Sequence, residues 1–122
     1  MGYHASMTTR TYHEASRALL AQAESELARG DVRQASEKGW GAAAQMVKAI
    51  AEERGWDHGS HRLIWQAVNR LATESGDEEI HRLFRTANHL HINFYEDVDT
   101  EAHVADGLGD VRRFLDKLEA YV

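Results

Sequence analysis

Apolar residues recur at three- and four-residue spacing along nearly the whole chain, the period of amphipathic helices rather than of strands. Proline, which would interrupt such helices, is absent. A first helix is predicted from about Thr9 to Ala28, with Tyr12, Leu19, Leu20, Ala23 and Leu27 on one face. Gly30 and Asp31 then supply a stop and an N-cap. The second helix, Val32 to about Arg54, buries Val32, Ala35, Gly39, Ala43, Met46, Val47 and Ile50 and turns Glu37, Lys38, Gln45, Lys48 and Glu52 towards water. Gly55 ends it, and Asp57 or Ser60 caps a third helix, His61 to about Thr73, that buries Ile64, Trp65, Val68, Leu71 and Ala72. After the Gly76–Asp77 turn, a fourth helix from about Glu78 to Tyr95 buries Ile80, Leu83, Phe84, Ala87, Leu90 and Phe94. Val104, Leu108, Val111, Leu115, Leu118 and Val122 keep register in a last segment, where Gly107 and Gly109 are expected to split the helix, with Asp110 near the start of the longer piece. Turns this short place successive helices antiparallel. The fold class is therefore all-α: an antiparallel up-down four-helix bundle with a short additional C-terminal helix.

The middle of the second helix reads GWGAAA. Each interior glycine costs about 1 kcal/mol against alanine, so Gly39 and Gly41 need a compensating role. Close approach of a neighbouring helix supplies one, with Trp40 filling the space beside it. Approach of a ligand to bare backbone is the sharper alternative.

A chain of 122 residues makes one domain, able to bury roughly two thirds of the surface its unfolded form exposes. Residues 1–8 lack helical periodicity and read as a leader, disordered or introduced for expression, ahead of a helical domain over 9–122. No basic-then-apolar stretch resembles a signal peptide, and no apolar run nears the roughly 18 residues of a membrane span. With no cysteine, disulfides and thiolate chemistry are excluded, and a cytoplasmic protein with no membrane association is expected. The net charge of -6 disfavours general coating of nucleic acid. A local contact with RNA or a nucleotide stays open, because most of the 14 cations are arginines, whose guanidinium suits phosphate.

Candidate chemistry concentrates in ANHLHINFYE, residues 87–96. At about 100° per residue, Arg82, Arg85, His89, Asn93 and Glu96 share one polar stripe, while His91 points roughly 120° from Arg85, between Ala87 and Phe84. The stripe reads as a solvated face, a dimer interface or a phosphate site. His91 reads as a core histidine with a hydrogen-bond partner. His61, beside Val68 and Trp65, can complete a polar pocket with it. His89 and His91 diverge by about 160° and cannot chelate one ion. His58 and His61 can do so only if their turn is helical. No HExxH, Walker loop, dinucleotide fingerprint or nucleophile elbow is present, so neither a metal nor a cofactor is expected.

GDVRQASEKGWGAAAQMVKAIAEERGW, the HGSH that follows it and LHINFYE together resemble the HEPN-like proteins, and more narrowly their PaREP-type small prokaryotic branch, over about Tyr12 to Leu118. The resemblance implies a HEPN-like four-helix bundle with a shorter helix added, commonly a homodimer. It further implies either metal-independent RNase activity, often in toxins paired with an antitoxin or a nucleotidyltransferase-like partner, or binding of nucleotides or proteins without catalysis. The catalytic signature of that group is an arginine and a histidine separated by four to six residues. Here Arg85–His91 are separated by five, Arg82–His89 by six and Arg54–His61 by six, and the commonest spacing of four is absent. Random placement gives about two such pairs, so their number decides nothing. Two functions follow as expectations. One is a non-catalytic binding or dimerisation module. The other is an RNase in which His89 or His91 moves the ribose proton while Arg85 stabilises the phosphate, and Arg82, Asn93, Glu96 and His61 bind.

Overall fold

Helix ends fall where backbone donors and acceptors find side-chain or glycine caps. In a computed structural model, which describes the backbone from residue 3 and the side chains from residue 8 to the C-terminus, the helices are α1 (Tyr3–Ala28), α2 (Val32–Arg54), α3 (His61–Ser75), α4 (Glu79–Glu96) and α5 (Glu101–Leu118). A short 3-10 helix, Glu119–Tyr121, follows at the C-terminus, and the described residues contain no strand. The leader expected over residues 1–8 lies, but for Thr8, outside the residues whose side chains are described. Asp31 and Ser60 accept hydrogen bonds from the amides of Gln34 and Leu63, as the sequence leads one to expect of N-caps. Gly55 and Gly76 close α2 and α3 in the left-handed region, each with φ 72°.

The predicted split at Gly107 and Gly109 does not occur. α5 runs unbroken from its N-cap Thr100, whose hydroxyl accepts from the His103 amide. Gly107 is buried, and a Cβ there would come 2.9 Å from Leu90 Cδ2. Gly39 meets the same leucine from the other side: its Cβ would lie 3.1 Å from Leu90 Cδ1 and 2.6 Å from Leu108 Cδ2. Leu90 thus packs between two bare helix backbones. Close packing outweighs the propensity cost of glycine at both positions, and it answers the question raised by GWGAAA in favour of a neighbouring helix.

Four helices form the antiparallel up-down bundle. α1 runs against α5, with His13 at Glu119, Arg17 at Asp116 and Glu24 at Arg112. α2 runs against α4, with Ser36 at Asn93 and Trp40 at Phe84. α4 runs against α5, with Thr86 at Asp110 and Glu79 at Arg113. α3 lies on the outer side of α4, its Trp65 ring edge-on to Phe84 at 4.7 Å. Phe84, Phe114, Met46, Ile50, Leu83 and Leu90 fill the interior. Burial of such side chains is the main stabilising term, on the order of 1.5–3 kcal/mol each. No described helix is long and apolar enough to cross a membrane.

Candidate functional site

α4 carries most of the candidate residues, and its neighbours divide them among three surfaces. Towards α2 and the head of α3 lies an aromatic and histidine cluster. Towards the body of α3 lies an open groove. Towards α5 lies an acidic cleft.

The cluster is built on Trp40, which helix periodicity turns inward on α2 and which is only 9% exposed. The His91 ring stacks on it at 5.1 Å and 28°, the His61 ring lies tilted against it at 5.1 Å, and the two imidazoles are 6.0 Å apart. Sequence reasoning paired these histidines, and the fold brings them together. His91 Nδ1 is 2.8 Å from Glu37 Oε1, which fixes the tautomer with Nδ1–H donating to the carboxylate. Glu37, expected to face water, is half-buried by this bond. Tyr95 stands edge-on to His91 at 5.5 Å and is two-thirds exposed.

Asn93 corrects the sequence reading most sharply. Its helical angle puts it in the polar stripe with Arg85 and His89, yet it is fully buried. The connection from α4 to α5 folds over it: Asn93 Oδ1 accepts from the amides of Val98 and Asp99 at 2.9 and 2.8 Å, and Nδ2 donates to Ser36 Oγ at 2.8 Å. Asp97, left-handed at φ 53°, makes the bend, its amide donating to the Asn93 carbonyl. The buried amide of Asn93 is thereby fully used, pairing with buried Ser36 and holding the exposed connection above it. Asn93 is therefore a positioning residue for the end of α4 and offers nothing to solvent. Phe94, expected in the core, is half-buried beneath the Arg33 guanidinium, 5.1 Å from its ring centroid.

His89 turns the other way, into the cleft lined by Asp99, His103, Asp106 and Asp110, with Nε2 2.8 Å from Asp99 Oδ2. Its carboxylate surroundings repel a phosphate. Among the described residues no group of three ligating side chains is placed to hold a metal ion, and His58 bonds to Glu52 instead of facing His61. Glu96 is exposed on the last turn of α4.

Arg82 and Arg85 line the groove between α3 and α4, opposite Asn69 and Thr73 and beside His81. Arg82 is bound to Glu79, which also receives Arg113 and Lys117. Those hydrogen bonds, that from Arg113 foremost, hold the Glu79 carboxyl down to about 2. Lys117 likewise lowers Asp77. This network ties the start of α4 to the second half of α5, and nothing in the helical pattern announced it. Arg85 is exposed and has no hydrogen-bond or ion-pair partner among the described residues.

The three residues of the arginine–histidine signature therefore occupy three surfaces of one chain. Arg85 and His91 do not share a face, as the helical angle requires. Arg85 and His89, one turn apart, lean towards different neighbours, Arg85 into the groove with α3 and His89 to Asp99. Within one copy Arg85 therefore meets neither His89 nor His91.

The sequence profile of the archaeal PaREP1/PaREP8 family matches residues 11–115. The fold is similar to the crystal structure of a protein from Sulfolobus solfataricus, with a TM-score of 0.79 and 25% identity over 88% of this chain and 95% of that one. No curated protein matches the sequence.

Proposed function

The chain belongs to the archaeal PaREP1/PaREP8 family, and we propose that it acts as a non-catalytic assembly module, pairing with a second copy of itself through the C-terminal end of α4. One observation carries this reading. Among the described residues the exposed large hydrophobic side chains are Ile92 (45%), Tyr95 (67%), Val98 (70%) and the terminal Val122, so three of the four fall within seven residues. Scattered exposed apolar residues mean little, whereas a contiguous set marks a surface that another molecule covers. Tyrosine at its centre is typical of interface cores. The backbone beneath is held by Asn93 and by the His91–Glu37 tie, so the edge is presented without an ordering cost at docking. The HEPN-like resemblance of the sequence supports a homodimer independently.

The RNase reading, with Arg85 and His89 or His91, requires the arginine and the histidine to come from two copies. Each histidine would also have to release its carboxylate. We therefore place it second. A toxin–antitoxin setting, with an antitoxin or nucleotidyltransferase-like partner, is compatible with either reading. Light scattering across a concentration series tests the assembly: the expected result is a dimer, and monomer alone at the highest concentration would refute it. Incubating wild type, Arg85→Ala and His89→Ala with RNA in EDTA tests the alternative. Cleavage by wild type that both variants lack would displace the assembly reading as the primary function.

A further inference from the structure

We propose that the groove between α3 and α4 is a binding site for a compact oxyanion, a carboxylate or a phosphate monoester, with Arg85 as its principal ligand. The inference rests on which cations are already engaged. Arg17, Arg29, Arg54, Arg70, Arg82, Arg112 and Arg113 each meet a carboxylate, and Arg33 donates to the Phe94 carbonyl while covering its ring. Arg10, Arg62 and Arg85 meet no described carboxylate, on a chain carrying 20 acidic side chains, and of the three only Arg85 lines the groove. It is also placed where a ligand fits, since it lines an open groove of about 980 Å³.

The groove supplies the remaining contacts. Arg82 lies one helical turn before Arg85 on the same face and adds positive potential although Glu79 holds it. Across the groove, Asn69 and Thr73 of α3 bring an amide and a hydroxyl, neither engaged with another described side chain. His81 makes no hydrogen bond with a described residue and is steadied by Trp65, whose ring is 5.4 Å away. A guanidinium flanked by neutral donors is the arrangement that binds a carboxylate or phosphate bidentately.

The same lining sets an upper limit on the ligand. Glu78 and Glu79 form one wall, and the chain carries a net charge of -6. A polyanion threading the groove would meet both carboxylates. A single anionic group seated at Arg85 avoids them. The site is distinct from the Ile92–Val98 edge, and its failure would leave the assembly reading untouched.

Titration of the intact protein at low ionic strength with inorganic phosphate and, separately, with acetate tests the proposal, followed through the side-chain NMR signals of Arg85 and the fluorescence of Trp65. Arg85→Gln and Arg62→Gln are the variants, Arg62 being an exposed arginine outside the groove that likewise lacks a described partner. Saturable binding at one site per chain is expected for wild type and Arg62→Gln, weakened about tenfold or more in Arg85→Gln. The probe that saturates at lower concentration identifies the ligand as phosphate or carboxylate. Absence of saturation with both probes overturns the proposal, as does equal weakening by Arg62→Gln. Tighter, steeply salt-dependent binding of a short single-stranded RNA, lost in Arg85→Gln, would overturn the compact ligand in favour of nucleic acid.

Discussion

Two regions of α4 with much the same residue types do opposite things. Towards its C-terminal end, His89, His91 and Asn93 are committed: each is bonded to a protein group, and together they fasten α4 to α2 and to the connection into α5. Further towards the N-terminus, Arg85 stands in an open groove with no partner among the described residues. The residues that look most like an active site in the sequence are therefore already paired with protein groups. Availability depends on what surrounds a polar group, and the surroundings here come from other helices.

Substitutions should separate the two regions sharply. The largest effect is expected for Asn93→Ala, which leaves the buried Ser36 hydroxyl and two amides of the partly exposed connection without the side chain that holds them. It should destabilise the protein by about 3 kcal/mol in urea unfolding. A loss under about 1 kcal/mol would mean that water replaces the side chain and that the turn is not closed. His91→Ala removes the part-buried hydrogen bond to Glu37 and the packing on Trp40, and should cost about 1 kcal/mol by the same measurement.

Glu79 gives a pH signature instead of a large constant term. Its carboxyl is held at about 2 in the folded chain against an ordinary 4.5. Its contribution is present above 4.5 and is lost as pH falls through the folded value, since the unfolded chain takes up the proton first. Stability of the wild type should therefore decline between pH 4.5 and 2 more steeply than that of Glu79→Gln. Parallel declines would show that the Arg113, Lys117 and Arg82 contacts carry no net weight. Arg85→Gln should change stability by less than about 0.5 kcal/mol. A larger loss would reveal a structural partner and erase the contrast.

Much of this architecture was legible in the sequence. Gly30–Asp31, Gly55, Ser60 and Gly76 marked helix ends because capping is a local requirement, met within four residues of chain. Helical angle alone separated His91 from Arg85 by about 120°. Gly107 misled because the rule that glycine weakens helices is local, whereas its reason for being there is Leu90, a side chain on another helix. Asn93 misled for the same cause: periodicity assigned it to the solvent stripe, and a connection five and six residues onward covers it. Glu37 had no signal pointing to His91, 54 positions away.

The claim that α4 ends in a docking edge is tested most directly by comparing Tyr95→Glu with Arg85→Glu in light scattering at matched concentration. Each variant adds a negative charge to an exposed position on the same helix, and neither replaces a core residue. The expected result is a monomer for Tyr95→Glu and an undisturbed dimer for Arg85→Glu. A dimer in both would move the interface elsewhere, and a monomer in Arg85→Glu alone would move it to the groove.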